Sequence, residues 1–287
     1  MSLVDANEVL RVSQELVSPP EIYTRLQELL ADPDWTPEEV AHVIEHDPGL
    51  SGRLLKLVNS PLYGLTTRVI SIPHAISLVG IRDLRDLVLG TSVMKSFRDL
   101  PEDLFSVSAF WHTSLRNAVM ARSLAQHHPA PEKLEAVFVA GLLADVGQLV
   151  LFRVLPEPSR KALLQAGREA EGLLAAERQI IGCDHAEVGA RLMQEWGLPE
   201  VLWHVAEGKA GRRPADEYAN QADLVRLAAR INRLLYGPDA ENDGRDAQRI
   251  EQLDEWQRLG LPSSVLGDTL IDAEPRFEAA VSAMLGG

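Results

Sequence analysis

The stretch that decides the fold runs from Asp47 to Gly64 and has the sequence DPGLSGRLLKLVNSPLYG. Asp47 is a typical helix N-cap, and Pro48 suits the first helical position because its missing N–H is not needed there. The apolar side chains that follow form one stripe at helical spacing: Leu50, Leu54, Leu55, Leu57 and Val58. The segment 59–61 (NSP) predicts the helix end, and Gly64 a tight turn. The stretch therefore predicts a capped helix that packs through one face.

Helix signals of the same kind occur along most of the chain. Segment 36–39 (TPEE) and segment 184–187 (DHAE) both have the form of a capping box, and Gly197 follows the helix that the second one opens. Alternating apolar and polar residues, which would indicate strands and hairpins, are scarce. The chain is therefore predicted to be all-α.

The spacing of loop signals predicts three parts. Residues 1–105 form an N-terminal helical part that ends at the polar stretch 98–101 (RDLP). Residues 106–236 form a second helical part, which contains a long helix through Phe110–Leu124 and another through Leu134–Leu149. Residues 237–287 begin with the loop sequence GPDAENDG and continue as a linker with two or three short helices.

The bulk composition excludes several classes of protein. A formal net charge of -14 opposes general binding to nucleic acid or to anionic membranes, since phosphate groups repel such a surface. The single cysteine, Cys183, allows no internal disulfide and fits a reducing compartment. The first residues, MSLVDANEVL, lack the pattern of a signal peptide, and no stretch is predicted to span a membrane. A cytoplasmic location is expected.

Together with segment 71–80 (SIPHAISLVG), the stretch 47–64 resembles the N-terminal signature of the HDOD family, which is related to the HD metal phosphohydrolases. The resemblance implies an N-terminal helical subdomain followed by an HD-type helical bundle. Taken one by one, the signature residues Asp47, Asn59 and His74 are interpreted as packing and turn residues rather than catalytic ones.

Two further segments resemble the metal-binding helices of HD hydrolases, in which a first His and a later His-Asp pair hold a divalent ion that activates water. In 110–114 (FWHTS), His112 matches the first His. In 140–149 (AGLLADVGQL), Asp145 matches the Asp of the pair, and Ala144 stands where its His is expected. A methyl group cannot bind a metal.

The resemblance extends through the segments 184–192 and 196–202, where His185 matches a family His. Continuing this register places Lys209 and Ala210 where the family has a His pair, and Ala229 where it has a last metal-binding Asp. Lys209 would add positive charge beside any bound cation, which is electrostatically unfavourable. The ligand set of a metal hydrolase is therefore incomplete.

Two interpretations of the surviving His112, Asp145 and His185 remain open. In one, these three side chains hold a single divalent metal ion as a facial triad. In the other, which we favour, Asp145 accepts hydrogen bonds from His112 and His185 in a buried polar cluster, because a carboxylate among apolar residues needs a partner. At a helix N-terminus, His185 is expected to stay neutral.

The resemblance predicts a non-catalytic signalling module without a cofactor. It would bind a signalling protein, or a nucleotide second messenger, in the cleft between its two helical parts. The alternative is a divalent-metal-dependent phosphohydrolase, for example a cyclic-dinucleotide phosphodiesterase, that uses His112, Asp145 and His185. A third hypothesis is DNA binding by a helix pair within 71–97, near Arg68, Arg82 and Arg85, which the acidity of the chain opposes.

Overall fold

The computed structural model describes residues 3–12, 19–97, 100, 106–131, 134, 136–167, 170–212, 214–237, 240 and 245–286. Every regular element within these ranges is a helix, and none of them holds a β-strand. The prediction of an all-α fold is confirmed. The predicted linkers at 98–101 and 237–244 lie mostly outside the described residues.

In chain order the helices are α1 (Ala6–Val12), α2 (Glu21–Leu30), α3 (Pro37–Glu45), α4 (Pro48–Val58), α5 (Ile72–Val79), α6 (Ile81–Ser96), α7 (Val107–Ala125), α8 (Val137–Leu143), α9 (Val146–Val154), α10 (Pro156–Ala166), α11 (Ala170–Ile180), α12 (His185–Glu195), α13 (Glu200–Lys209), α14 (Ala219–Tyr236), α15 (Asp246–Glu251), α16 (Asp254–Leu259) and α17 (Val265–Met284). A short 3₁₀ turn, Asp216–Tyr218, precedes α14.

The helices sort into two compact units that do not follow chain order. The signature unit comprises Pro19–Asp99 and Leu270–Gly287, and the bundle unit comprises Met1–Ser18 and Leu100–Thr269. The boundaries predicted from the sequence lie instead at 105 and 236. The two divisions differ at the chain ends, because α1 packs on α12 and α9 of the bundle unit, whereas α17 belongs to the signature unit from Leu270 onward.

In the signature unit, the predicted caps are present. The Thr36 hydroxyl accepts a hydrogen bond from the Glu39 N–H, and Glu39 accepts one from the Thr36 N–H, which completes the capping box. The Asp47 carboxylate accepts from the Leu50 N–H at 3.0 Å and from Lys95 Nζ at 3.0 Å. Asp47 thus fixes the start of α4 and ties it to α6, which agrees with its interpretation as a structural residue.

Asn59 clamps the loop between α4 and α5. Its Oδ1 accepts from the Val69 N–H at 2.7 Å, and its Nδ2 donates to the carbonyls of Val69 at 2.8 Å and of Leu55 at 2.7 Å. One side chain therefore satisfies backbone groups of Leu55 and Val69, which are 14 residues apart in sequence. This explains why an Asn ends α4 and supports a structural role for it.

The bundle unit is built around α7, α8, α9, α12, α13 and α14, which pack on one another. The helix predicted through Leu134–Leu149 is in fact two helices, α8 and α9, and the break falls at Ala144 and Asp145. Neither proline nor glycine marks this break, so that the apolar periodicity alone predicted a continuous helix. The break leaves Asp145 at the N-terminal end of α9.

One apolar stretch, Val137–Val154, is long and apolar enough to cross a membrane by its length and composition, with a mean hydropathy of 1.8. The expectation that no apolar stretch approaches the length needed to span a membrane is therefore wrong. Of this stretch, 78% is buried inside the structure. Its apolar character is therefore explained by its position as α8 and α9 in the core of the bundle unit.

Candidate functional site

The candidate site centres on Asp145, at the break between α8 and α9. Lys209, the last residue of α13, donates a hydrogen bond from Nζ to Asp145 Oδ2. Both side chains are only 17% exposed. The residue that the sequence register placed at a family His position therefore does reach Asp145, as an ammonium rather than an imidazole.

His185, the first residue of α12, is the second neighbour of Asp145. Its Nε2 lies 3.8 Å from Asp145 Oδ1, and its Nδ1 lies 2.6 Å from Glu177 Oε2. The same Glu177 oxygen accepts a hydrogen bond from the His185 backbone N–H at 2.9 Å. Glu177 therefore fixes both the backbone and the ring of His185, and directs its other nitrogen toward Asp145.

A close crossing of α9 and α12 brings these residues together. A Cβ placed on Gly147 would lie 1.9 Å from the carbonyl oxygen of His185 and 2.6 Å from the Gly189 N, so that no side chain fits there. Gly189 in turn faces the backbone of Gly147. Two glycines thus allow the two backbones to touch, and the N-terminal ends of both helices, with Asp145 and His185, meet as a result.

The protonation of this cluster follows from its neighbours. Burial raises the pKa of Asp145, but the Lys209 ammonium and then His185 outweigh it, and the pKa lies below its ordinary value. Burial lowers the pKa of His185, but the carboxylates of Glu177 and Asp145 outweigh it, and the pKa is raised. The expectation of a neutral His185 from the helix dipole is wrong in direction, because two carboxylates flank the ring.

His112 occupies a different environment from the other two predicted site residues. It lies on α7 and is exposed, whereas the side chains of Asp145 and His185 are mostly buried. The structure thus brings Asp145 and His185 together, with Lys209 and Glu177 as their partners. Among the residues that the structure describes, no group of three His, Cys, Asp or Glu side chains could hold a metal ion.

The donor set does not fit the metal that the HD resemblance implies. Asp145 and His185 supply two donors, and the buried Ala144 has none to offer. Lys209 donates to the carboxylate oxygen that a metal would need. Two unit charges roughly 4 Å apart interact by about 4 kcal/mol at an effective dielectric constant of about 20, and a divalent ion doubles that repulsion.

Sequence reasoning missed Glu177, although a signal for it exists. In α11, the apolar residues Leu173, Ala176 and Ile180 recur at helical spacing, and Glu177 lies on the same face, four residues after Leu173. Glu177 is 2% exposed. A carboxylate on the apolar face of an amphipathic helix needs a buried partner, and here that partner is His185.

A second charged cluster holds the start of α12 in place. Asp184 is fully buried and accepts two hydrogen bonds from the Arg212 guanidinium, at 2.8 and 2.9 Å. It also forms an ion pair with Arg178 at 2.5 Å. It also caps α12 by accepting from the Glu187 N–H. Burial raises the pKa of Asp184, but the hydrogen bonds from Arg212 and the Glu187 N–H outweigh this effect and lower the pKa to about 2. The capping box was predicted; its arginine partners carried no sequence signal.

Neither Cys183 nor the helix pair within 71–97 has the features that a thiol nucleophile or a helix-turn-helix requires. Burial, together with nearby carboxylates such as Glu187, raises the pKa of the Cys183 thiol to about 12, so that it stays protonated. The proposed DNA-binding helices α5 and α6 are joined by Gly80 alone, rather than by the three- or four-residue turn of a helix-turn-helix. Arg85 there is paired with Asp86 at 3.2 Å.

Comparison with solved structures places the fold. A candidate phosphohydrolase from Shewanella amazonensis SB2B has a TM-score of 0.75 at 23% identity, over 96% of this chain and 97% of that chain. An HDOD domain protein with unknown function from Geobacter sulfurreducens gives 0.72 at 23%, over 98% and 100%. A candidate signal transduction protein from Marinobacter aquaeolei VT8 gives 0.67 at 19%, over 100% and 67%. These likenesses show a shared helical fold.

Comparison of sequences identifies the family. An uncharacterized protein of Treponema pallidum (strain Nichols) is 28% identical over 179 residues, which are 62% of this chain and 34% of that protein. The chain thus spans about a third of the length of this relative. The family model described as the HDOD domain matches residues 16–209, which is more than half of the chain. The chain therefore belongs to the HDOD domain family.

Proposed function

We propose that this protein is a non-catalytic signal-transduction module that acts by binding, either to a signalling protein or to a nucleotide second messenger. Members of its fold include a candidate signal transduction protein, which supports a role of this class. The proposal needs neither a metal nor a cofactor.

The observation that carries the proposal is the pairing of Asp145 with Lys209. Asp145 is the one residue of the His-Asp pair that this chain retains, and a hydrolase would need its carboxylate for a metal ion. Here an ammonium holds that carboxylate inside the bundle unit. His112, which the metal-site interpretation also requires, is exposed on α7.

Hydrolysis assays test the proposal directly. We expect wild-type protein to leave bis(p-nitrophenyl) phosphate and a cyclic dinucleotide intact in the presence of Mn²⁺, Ni²⁺ or Fe²⁺. Asp145→Ala is the matched variant, since contaminating enzymes would act equally in both preparations. Hydrolysis by the wild type that disappears in Asp145→Ala would replace the proposal with the phosphohydrolase alternative.

A further inference from the structure

We propose that the Lys209 ammonium is the built-in cation of the Asp145–His185–Glu177 cluster, and that it takes the place of the third donor that a divalent metal ion would need beside Asp145 and His185. The inference deepens the proposed function, because it names the residue that keeps the cluster closed. It concerns ion binding alone and can be tested without a substrate.

The contacts of His185 resemble those of a histidine that ligates a metal ion. In protein metal sites, a ligating His typically donates its second ring N–H to a carboxylate, which fixes the tautomer and the orientation of the ring. His185 has this arrangement: Nδ1 lies 2.6 Å from Glu177, and Nε2 is directed toward Asp145 at 3.8 Å. The orienting carboxylate of a metal ligand is therefore already in place.

The charges of the cluster also support a built-in cation. Asp145 and Glu177 bring two carboxylates into a largely buried region, where unpaired negative charge is costly. Lys209 brings a compensating positive charge to Asp145. Because the Lys209 ammonium donates to the Asp145 oxygen Oδ2, a metal ion would have to displace it and then sit beside it.

The helix ends that carry the cluster are held in place by contacts that do not involve Lys209. The contact of Gly147 with the backbone of α12 fixes the distance between the ends of α9 and α12. Asp184, held by Arg212, fixes the first turn of α12. A change at Lys209 alone should therefore leave Asp145, His185 and Glu177 where they are.

The test is metal titration by calorimetry of tag-free protein in which position 209 is varied. We expect Lys209→His to bind one Ni²⁺ or Mn²⁺ per chain through Asp145, His185 and the new imidazole, and to gain melting temperature on metal addition. Lys209→Met, which removes the charge without adding a donor, should bind at least about tenfold more weakly than Lys209→His. The wild type should show no binding that depends on Asp145.

Two further variants separate this site from surface histidines. The exposed His42 and His46 lie four residues apart and could capture Ni²⁺, so that binding is attributed to the cluster only where Asp145→Ala in the same background removes it. Glu177→Gln in the Lys209→His background should weaken binding by about tenfold, as loss of an orienting carboxylate does.

Two results would overturn the inference. One is Asp145-dependent metal binding by the wild type, since Lys209 would then be no barrier. The other is the absence of Asp145-dependent binding in Lys209→His that is folded by circular dichroism. Should Lys209→His not fold, Lys209→Gln replaces it, and a melting temperature that metal does not raise in this variant would count against the inference. Hydrolysis by the wild type would refute the proposed function whichever way these titrations end.

Discussion

Asp184 is a residue whose loss should strongly destabilise the bundle unit. Its fully buried carboxylate caps α12 and compensates Arg212 and Arg178, so Asp184→Ala leaves two guanidinium groups without their buried partner. We expect a loss of about 3–5 kcal/mol in the free energy of unfolding, measured by urea denaturation at pH 7.

A matched control for Asp184 is Asp223, which forms a similar two-pronged pair with Arg258 at 2.6 and 2.8 Å, but at the surface. Because Arg258 is half exposed, Asp223→Ala should cost less than about 1 kcal/mol. Equal losses in the two variants would show that burial is not what makes the Asp184 cluster important.

The protonation of His185 should respond to its neighbours in a fixed order. Glu177→Gln should lower the His185 pKa most, Asp145→Asn should lower it less, and Lys209→Met should raise it, since the ammonium disfavours the imidazolium. The measurement is the pH titration of the His185 ring signals by NMR. A His185 pKa that stays the same in Glu177→Gln would contradict the Glu177 carboxylate as the main cause of the upward shift.

The pH dependence of stability follows from the same shift. The pKa of folded His185 lies above its ordinary value of 6.5, so the folded state binds the proton more tightly than the unfolded state. The stabilisation that this tighter proton binding adds to the folded state is complete below about pH 6.5. It is lost as the pH rises through the pKa of folded His185. In Glu177→Gln, the free energy of unfolding should decrease less as the pH rises.

At the scale of helices, α1 is the element most open to perturbation. Seven residues are too few for a stable isolated helix, so that α1 depends on its packing against α12 and α9. The buried Val9 and Leu10 anchor it, and the Val4 N–H donates to the Ile181 carbonyl at 2.8 Å. The next residue, Gly182, lies against Val4 at a φ of 119°, where a Cβ would clash.

We expect Leu10→Asp to release α1 and uncover Cys183, which is 2% exposed and borders a cavity of about 350 Å³ with Asp5, Ala6 and Asn7. The rate of Cys183 reaction with Ellman's reagent should rise by about tenfold or more, because burial of one leucine contributes about 2 kcal/mol. Val12→Asp, at an exposed position of the same helix, should leave the rate unchanged. An equal rise in both variants would contradict the anchoring role of Leu10.

How far the sequence predicts these elements depends on how local the signal is. The caps at Thr36, Asp47 and Asp184 are written within four residues, and the structure contains all three. The break at Asp145 has no proline or glycine signal and was missed. Gly147, in the first turn of α9, lies against the backbone of α12, and apolar periodicity carries no information on such a tertiary contact.

In the candidate site, too, some residues could be predicted from the sequence and others depend on tertiary contacts. Family register placed Lys209 near Asp145, and the structure joins them. The partner of His185 could not be read from the register, because Glu177 lies on a different helix, and only its position on an apolar face distinguishes it from the many exposed glutamates. Arg212 follows α13 in a loop, where no periodicity constrains a side chain.

At the scale of the whole chain, the signature unit is completed from both directions of the sequence. Residues Pro19–Asp99 form most of it, and Leu270–Gly287 returns to it after the entire bundle unit. In this last segment Phe277, Ala280 and Met284 are buried, and the Ser282 carbonyl accepts a hydrogen bond from Lys56 Nζ at 2.5 Å. Contacts across more than 200 residues leave no local pattern, so the tail was predicted only as short helices after a linker.

A chain that ends at Thr269 should therefore lose stability in the signature unit rather than in the bundle unit. We expect hydrogen exchange, followed by mass spectrometry, to show faster exchange in α2–α6 and unchanged protection in α7–α14, because the buried apolar side chains of Leu270–Gly287 belong to the signature unit. Ile271→Ala in the full chain is the control, since Ile271 is 73% exposed and its loss should change neither unit. Equal loss of protection in both units on truncation would mean that Leu270–Gly287 stabilises the chain as a whole, and that the two units do not unfold separately.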